Sequence, residues 1–98
     1  MKVNYQSINF NADQTLLDFI QKKMDKLDVF YDHILDGHVY LKVESSSVRE
    51  NKLVEIKLNI PGKDFIARKQ CKSFEEAADS SVEALRRALK KHKEKVRS

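Results

Sequence analysis

His38-Val39-Tyr40-Leu41-Lys42-Val43-Glu44 and, after a polar interval, Val54-Glu55-Ile56-Lys57-Leu58-Asn59-Ile60 alternate polar and apolar residues without a break. Successive side chains of an extended chain point to opposite faces. Val39, Leu41 and Val43 therefore share an inward face with Val54, Ile56, Leu58 and Ile60, while His38, Tyr40, Lys42, Glu44, Glu55, Lys57 and Asn59 turn outward. One apolar and one polar face per strand predict a sheet covered on one side only.

The interval from Ser45-Ser46-Ser47 to Asn51 reads as a hairpin loop. Gly37, Pro61 and Gly62 are the only strong punctuation in the chain. Pro61-Gly62-Lys63-Asp64 reads as a tight turn, after which Phe65 and Ala67 continue a fourth strand toward Cys71. Upstream, Val3, Tyr5 and Ser7 alternate with Lys2, Asn4 and Gln6. Asp13 then offers an N-cap, and Leu16, Leu17, Ile20, Met24 and Leu27 follow at helical spacing, predicting an amphipathic helix over about 14–28. Phe30-Tyr31-Asp32-His33 reads as the turn leaving it. Ser73-Phe74-Glu75-Glu76 has the form of a capping box, the serine capping the helix start and Glu76 reaching back to the serine amide. Ala78, Val82, Leu85, Leu89 and Val96 then gather in an arc of roughly 60° on a helical wheel, widened by Phe74 and Ala88. The predicted order is β-α-β-β-β-α. This is an α+β domain with both helices on the apolar face of a four-stranded sheet, and a right-handed first crossover lays strand one parallel to a neighbour.

Ninety-eight residues suffice for a single domain, 1–98, with one modest core. Cys71 is alone, which rules out an intrachain disulfide and suits a reducing cytoplasm. It reads as a small buried hydrophobe. Met1-Lys2-Val3-Asn4-Tyr5 lacks the apolar run of a signal peptide, and nowhere do about 18 apolar residues run together, so no membrane partner is expected. His33, His38 and His92 share no metal-ligand spacing, and the two glycines are too far apart to cradle a phosphate. Asp13, Asp18, Asp25, Asp28, Asp32 and Asp36 are spread along a helix and turn, where acids serve solvation. The expectation is a protein that is not an enzyme, with no cofactor, metal or small-molecule substrate.

Charge is distributed unevenly. From Ala84 to Ser98 stand Arg86, Arg87, Lys90, Lys91, Lys93, Lys95 and Arg97 against a single acid, Glu94, so this stretch carries more than the whole chain's +4. Solvated helix faces usually mix signs to gain i,i+4 pairs, and seven cations with one acid do not. Lys22, Lys23 and Lys26 fall on one flank of the first helix. With the helices side by side, that flank and the second helix would form one continuous positive groove suited to tracking phosphates. Arg87, Lys91 and Lys93 lie off the apolar arc, so replacing them is expected to spare the fold. On the open sheet face only Tyr40 is aromatic, which argues against base stacking there. Helix-borne cations instead favour shape and phosphate recognition of structured RNA.

Three segments, in this order, resemble one family over nearly the whole chain: Phe30-Tyr31-Asp32-His33-Ile34, Leu41-Lys42-Val43-Glu44, and Ala77-Ala78-Asp79 followed by Leu85-Arg86-Arg87-Ala88-Leu89-Lys90-Lys91-His92-Lys93. They are similar to the aromatic turn, the second strand and the closing basic helix of the ribosome hibernation-promoting factors, the ribosome-associated inhibitors also labelled sigma-54 modulation proteins. The resemblance implies a fold akin to a double-stranded RNA-binding domain with an added first strand. It also implies a cytoplasmic translation inhibitor of stationary phase and stress that binds the small ribosomal subunit, through its rRNA, where messenger and transfer RNA would sit. The basic positions that match are Lys23, Lys26, Arg87, Lys91 and Lys93, with Arg86 and Lys90 as helpers. Lys22 and Lys95 complete the candidate RNA-binding set. His33 stands where arginine or lysine is common, and Glu75 replaces an aromatic. The chain resembles the short members of the family and is expected to be a monomer off the ribosome. Two alternatives remain open: a generic structured-RNA-binding or ribosome-assembly protein, and a protein-interaction module using Leu85, Leu89, His92 and Val96 as a helical seam.

Overall fold

A computed structural model describes residues 1–44 and 49–97, with the side chains of positions 96 and 97 outside that description. The expected loop residues Ser45, Ser46 and Ser47 and the expected apolar side chain of Val96 fall outside it. The elements are β1 (Lys2–Ile8), α1 (Gln14–Phe30), β2 (Asp36–Val43), β3 (Lys52–Ile60), β4 (Lys63–Cys71) and α2 (Phe74–Arg97). The strands lie in the order β1-β2-β3-β4, with β1 parallel to β2 and the other two pairs antiparallel.

The register follows the alternation. Val39 stands opposite Ile56, and Leu41 opposite Val54. Ile56 stands opposite Ala67, and Leu58 opposite Phe65. The buried face of the sheet is thus a continuous apolar floor, and Val39, Leu41, Val54, Ile56 and Leu58 are at most 1% exposed. Ile20, Met24 and Leu27 of α1 and Ala77, Ala78, Val82, Leu85 and Leu89 of α2 close over it. Ser81 is the one buried polar residue among those described, and its hydroxyl donates to the Val54 carbonyl at 3.5 Å.

α2 lies over β3 and β4, and α1 packs beside it, over the β1 side. Lys23 meets Asp79, and further along both helices Phe30 meets Arg86 and Lys93, so the two helices run in the same direction. Asp13 caps α1 as expected, its carboxylate accepting from the Leu16 amide at 2.9 Å. The helix ends where the Tyr31 amide donates to the Leu27 carbonyl at 2.9 Å. At α2 the serine half of the capping box forms, Ser73 Oγ accepting from the Glu76 amide at 3.1 Å. The return bond from the Ser73 amide to Glu76 is not among the hydrogen bonds of the described residues, where Glu76 is solvent-exposed.

Three local features differ from or go beyond the sequence expectation. Pro61 and Gly62 alone make the turn, with Lys63 and Asp64 already paired in β4. Gly62 takes φ 80°, a value glycine adopts without steric cost, while proline's ring holds the position before it. Gly37 does not punctuate the chain at all. It sits inside β2, where an added Cβ would come 2.8 Å from Met24 Cε, so its role is close approach. Leu53, which precedes the alternation read from Val54, lies on the open side of β3 and is nevertheless 8% exposed, in a hollow shared with Ile8, Tyr40 and Arg68.

Leu41, with no exposed surface, supports the centre of this core, whereas Ile66 on the open face is 62% exposed. Leu41→Ala is expected to cost about 3 kcal/mol in urea unfolding and Ile66→Ala less than about 0.5 kcal/mol; comparable losses would mean the buried face is misassigned. The Tyr5 hydroxyl donates to Gln21 Oε1 at 2.6 Å, and burial, aided by Asp25 and Asp18, pushes its pKa up to about 12. A phenol whose pKa is raised on folding contributes stability that is complete below the unfolded value of about 10 and is lost as pH rises toward the folded one. Stability should therefore fall between about pH 10 and 12, and in Tyr5→Phe that part of the decline, with its tyrosinate absorbance change, should disappear.

Candidate nucleic-acid interface

The solvent side of the helix layer carries the candidate cations, but they are not equivalent. Packing α1 beside α2 leaves a groove of about 430 Å³ bordered by Lys23, Lys26, Val29, Phe30, Asp79, Glu83 and Arg86, among others. A second hollow of about 260 Å³ continues it, lined by Phe30, Glu83, Arg86, Arg87 and Lys90. The expected groove between the helices thus exists. It is not uniformly positive, because Asp79 and Glu83 project from α2 into the same walls.

Lys23, Arg86 and Lys93 are held by identified partners within the protein. Lys23 Nζ lies 2.8 Å from Asp79 Oδ1 and 5.4 Å from the centre of the Phe19 ring. Arg86 pairs with Glu83 at 3.9 Å and stands 5.3 Å from the Phe30 ring. Lys93 Nζ approaches the same ring to 5.3 Å and donates to the Phe30 carbonyl at 3.4 Å. Cations over an aromatic face are held by the ring's quadrupole, here by two rings on the α1 flank that turns toward α2. Lys93 is consequently half-buried and ties the end of α1 to α2, so its replacement removes packing contacts as well as a charge.

The remaining positions are exposed. Lys26, Arg87, Lys90 and Lys91 form no ion pair among the described residues and are open to an incoming anion. Lys95 is exposed as well. Lys22 is exposed on α1 but does not border the groove, since it sits about 100° around the helix from Lys23. His33 is 70% exposed in its side chain, 3.4 Å from Asp32 and edge-on to Tyr31.

One cation escaped the sequence reading. Lys69 of β4 is exposed and lines a hollow of about 290 Å³ with Asp79, Ser80, Glu83 and Arg87. Its signal was available, because Lys69 shares the parity of Phe65 and Ala67 and must emerge on the helix side of the edge strand. The aromatic clamps were also legible in principle, Phe19 standing four residues before Lys23 on one helical row.

The opposite, open face of the sheet is electrically balanced. Lys2, Lys42, Lys57 and Arg68 alternate there with Asp36, Glu44, Glu55 and Asp64. Lys42 lies 3.7 Å from Glu44, and Lys57 3.7 Å from Asp64. Among the described residues no group of His, Cys, Asp or Glu is placed to hold a metal ion, and no helix is long and apolar enough to cross a membrane.

Residues 3–97 match the family model described as Sigma 54 modulation protein / S30EA ribosomal protein. The chain is 33% identical over 98 residues to the ribosome hibernation promoting factor of Pseudomonas putida, covering 100% of this chain and 92% of that protein. Its fold superposes with a TM-score of 0.84 on a ribosomal subunit interface protein from Coxiella burnetii, at 18% identity, covering 95% of this chain and 98% of the other. The N-terminal domain of Protein Y from Thermus thermophilus gives 0.79 at 22% identity, covering 94% and 99%. These structures establish the β-α-β-β-β-α fold independently of the sequence match. By the extent of the family match, the chain belongs to the Sigma 54 modulation protein / S30EA ribosomal protein family.

Proposed function

We propose that this protein is a ribosome hibernation factor: it binds small-subunit rRNA through the α1–α2 layer, occupies the channel that messenger and transfer RNA would enter, and silences idle ribosomes in stationary phase or stress. The observation that carries the reading is the exposed set Lys26, Arg87, Lys90 and Lys91 on one layer, set against a balanced sheet face on the other. Phosphate contacts by such cations release condensed counterions and position a protein without reading bases. The mechanism needs no reaction, because a rigid domain seated in the channel excludes other ligands by occupancy. Family membership and the P. putida relative's name support the hibernation role. The name of the Coxiella protein supports the ribosome as partner.

The cations divide by what binding asks of them. An unpaired, solvated lysine meets a phosphate at little cost in existing contacts. Lys23 would have to leave or share Asp79, and Arg86 would have to share Glu83. These two serve better as fixed elements of the groove wall. The exposed four are therefore the principal phosphate partners, with Lys22 and Lys95 at the periphery.

Sedimentation with purified ribosomes across salt concentrations tests this. With about five phosphates neutralised, log K against log salt should slope by roughly −3.5 to −4.5. Lys26→Ala/Arg87→Ala/Lys91→Ala should unfold like wild type and reduce the slope by about 2 to 3. Lys42→Ala/Lys57→Ala should leave the slope unchanged. Wild type, unlike the triple variant, should also displace transfer RNA from small subunits and halt reporter translation. Tight ribosome binding that leaves transfer RNA binding intact would discard channel occupation and favour a ribosome-assembly role.

A further inference from the structure

The positive charge that α2 gathers in its C-terminal half is absent from the other end of the helix layer. No lysine or arginine occurs from 3 to 21 or from 73 to 85. Both helices begin at that end, with Asp13, Asp18, Glu75 and Glu76 exposed there. Two helix N-termini contribute about half a positive charge each, so these carboxylates outweigh them even with Lys72, just before α2, counted in. Glu75 and Lys90 are separated by roughly 22 Å of helix, well beyond the screening length of about 8 Å. The basic end therefore does not cancel the field of the acidic one.

Between the two helix starts lies a hollow of about 370 Å³. Phe10, Leu16, Phe19 and Phe74 give it an apolar floor, with Asp13 and Glu75 at its edge. Among the described residues no lysine or arginine borders it. Just after β1, Asn9 takes φ 69°, a left-handed conformation in which asparagine is commoner than most residues. Phe10 follows, its ring stacked on that of Phe74 with centroids 4.6 Å apart and planes 12° from parallel. Phe74 is buried, whereas Phe10, Leu16 and Phe19 are only half-buried. Capping accounts for Asp13 and the helix dipole for Glu75, but neither accounts for the aromatic surface left in water beside them.

We propose that this hollow docks a basic polypeptide segment of a partner protein. The segment inserts an aromatic or large aliphatic side chain against Phe10, Leu16 and Phe19 and sets lysines or arginines against Asp13 and Glu75. RNA is the wrong occupant, because its phosphates would face carboxylates. An uncharged apolar segment would fill the floor and leave the edge unmatched. A cationic segment with one apolar anchor satisfies both, as an anchor seated in a pocket within a polar rim does at protein interfaces. The hollow shares no bordering residue with the groove between the helices, and the proposal does not depend on the RNA-binding reading.

A dye-labelled peptide with two lysines on either side of one phenylalanine tests this by fluorescence anisotropy with the full chain. Binding should weaken with salt, and the same peptide with alanine at its centre should bind at least about tenfold more weakly. Amide chemical-shift changes should cluster at Phe10, Thr15, Leu16 and Glu75. Asp13→Asn/Glu75→Gln keeps both shapes, and asparagine caps a helix as well as aspartate, so urea unfolding should match wild type. This variant should lose on the order of tenfold in peptide affinity while sedimenting with ribosomes as wild type does. Equal binding of the alanine-centred peptide, or full affinity in the double variant, overturns the proposal. So does displacement of the peptide by an RNA duplex, which would make the hollow part of the RNA surface. Self-association of wild type that salt and the double variant both abolish also overturns it, since the occupant would then be the basic end of a second copy. Failure to bind ribosomes alongside intact peptide binding sinks the RNA reading and leaves this one standing.

Discussion

Burial of one sheet face beneath two helices is the constraint on which the rest of this molecule depends. Val39, Leu41, Val54, Ile56 and Leu58 cannot be removed from water unless β2 and β3 hold their register, and a slip of one residue would expose all of them. Once the register is held, the positions of the charges follow. The outward residues of every strand go to a face where acids and bases balance, and the helices must present their remaining surface to solvent on the far side. The excess charge of α2 thus ends on a separate layer because the apolar stripe of that helix is used for burial. Running both helices in the same direction also brings their C-terminal ends together. The negative ends of the two helix dipoles there favour the lysines that cluster nearby.

Within the helix layer, aromatic rings and acids decide what each cation does. Phe30 holds Arg86 and Lys93 at one end of the groove, while Phe19 and Asp79 hold Lys23 further up. A cation over a ring keeps its charge yet loses much of the freedom of a long side chain, and less ordering entropy then remains to be lost on binding. The groove wall is in this sense preorganised, and the mobile, exposed lysines around it supply the adaptable contacts. Net charge alone would describe all of these residues as one basic patch.

The fold was readable because it rests on periodicity. Strict alternation in β2 and β3, helical spacing in α1 and α2, and caps at Asp13 and Ser73 all pointed to one architecture. Consistency across such levels is what makes a sequence specify a structure. The site was readable only in part, because it depends on contacts between distant segments. Nothing near Lys23 in sequence announces Asp79, which is 56 residues away, and nothing near Lys93 announces the Phe30 carbonyl, 63 residues away. The settings of Leu53 and Gly37 are hidden from the sequence for a similar reason. A leucine on the outward parity looks exposed until Ile8 and Tyr40 close around it, and a glycine looks like a turn until Met24 is placed above it.

Lys69 shows how a strand edge can extend a helical site. Register places it opposite Val54, on the buried side of the sheet, but β4 is the last strand and no further strand covers that side of it. A charged residue at this parity is easily accommodated at an edge, where it also discourages pairing with another chain. The same position brings its ammonium group beside α2, in the hollow with Arg87. Protection of an exposed edge and provision of a cation to the helix layer are thus two consequences of one residue's placement.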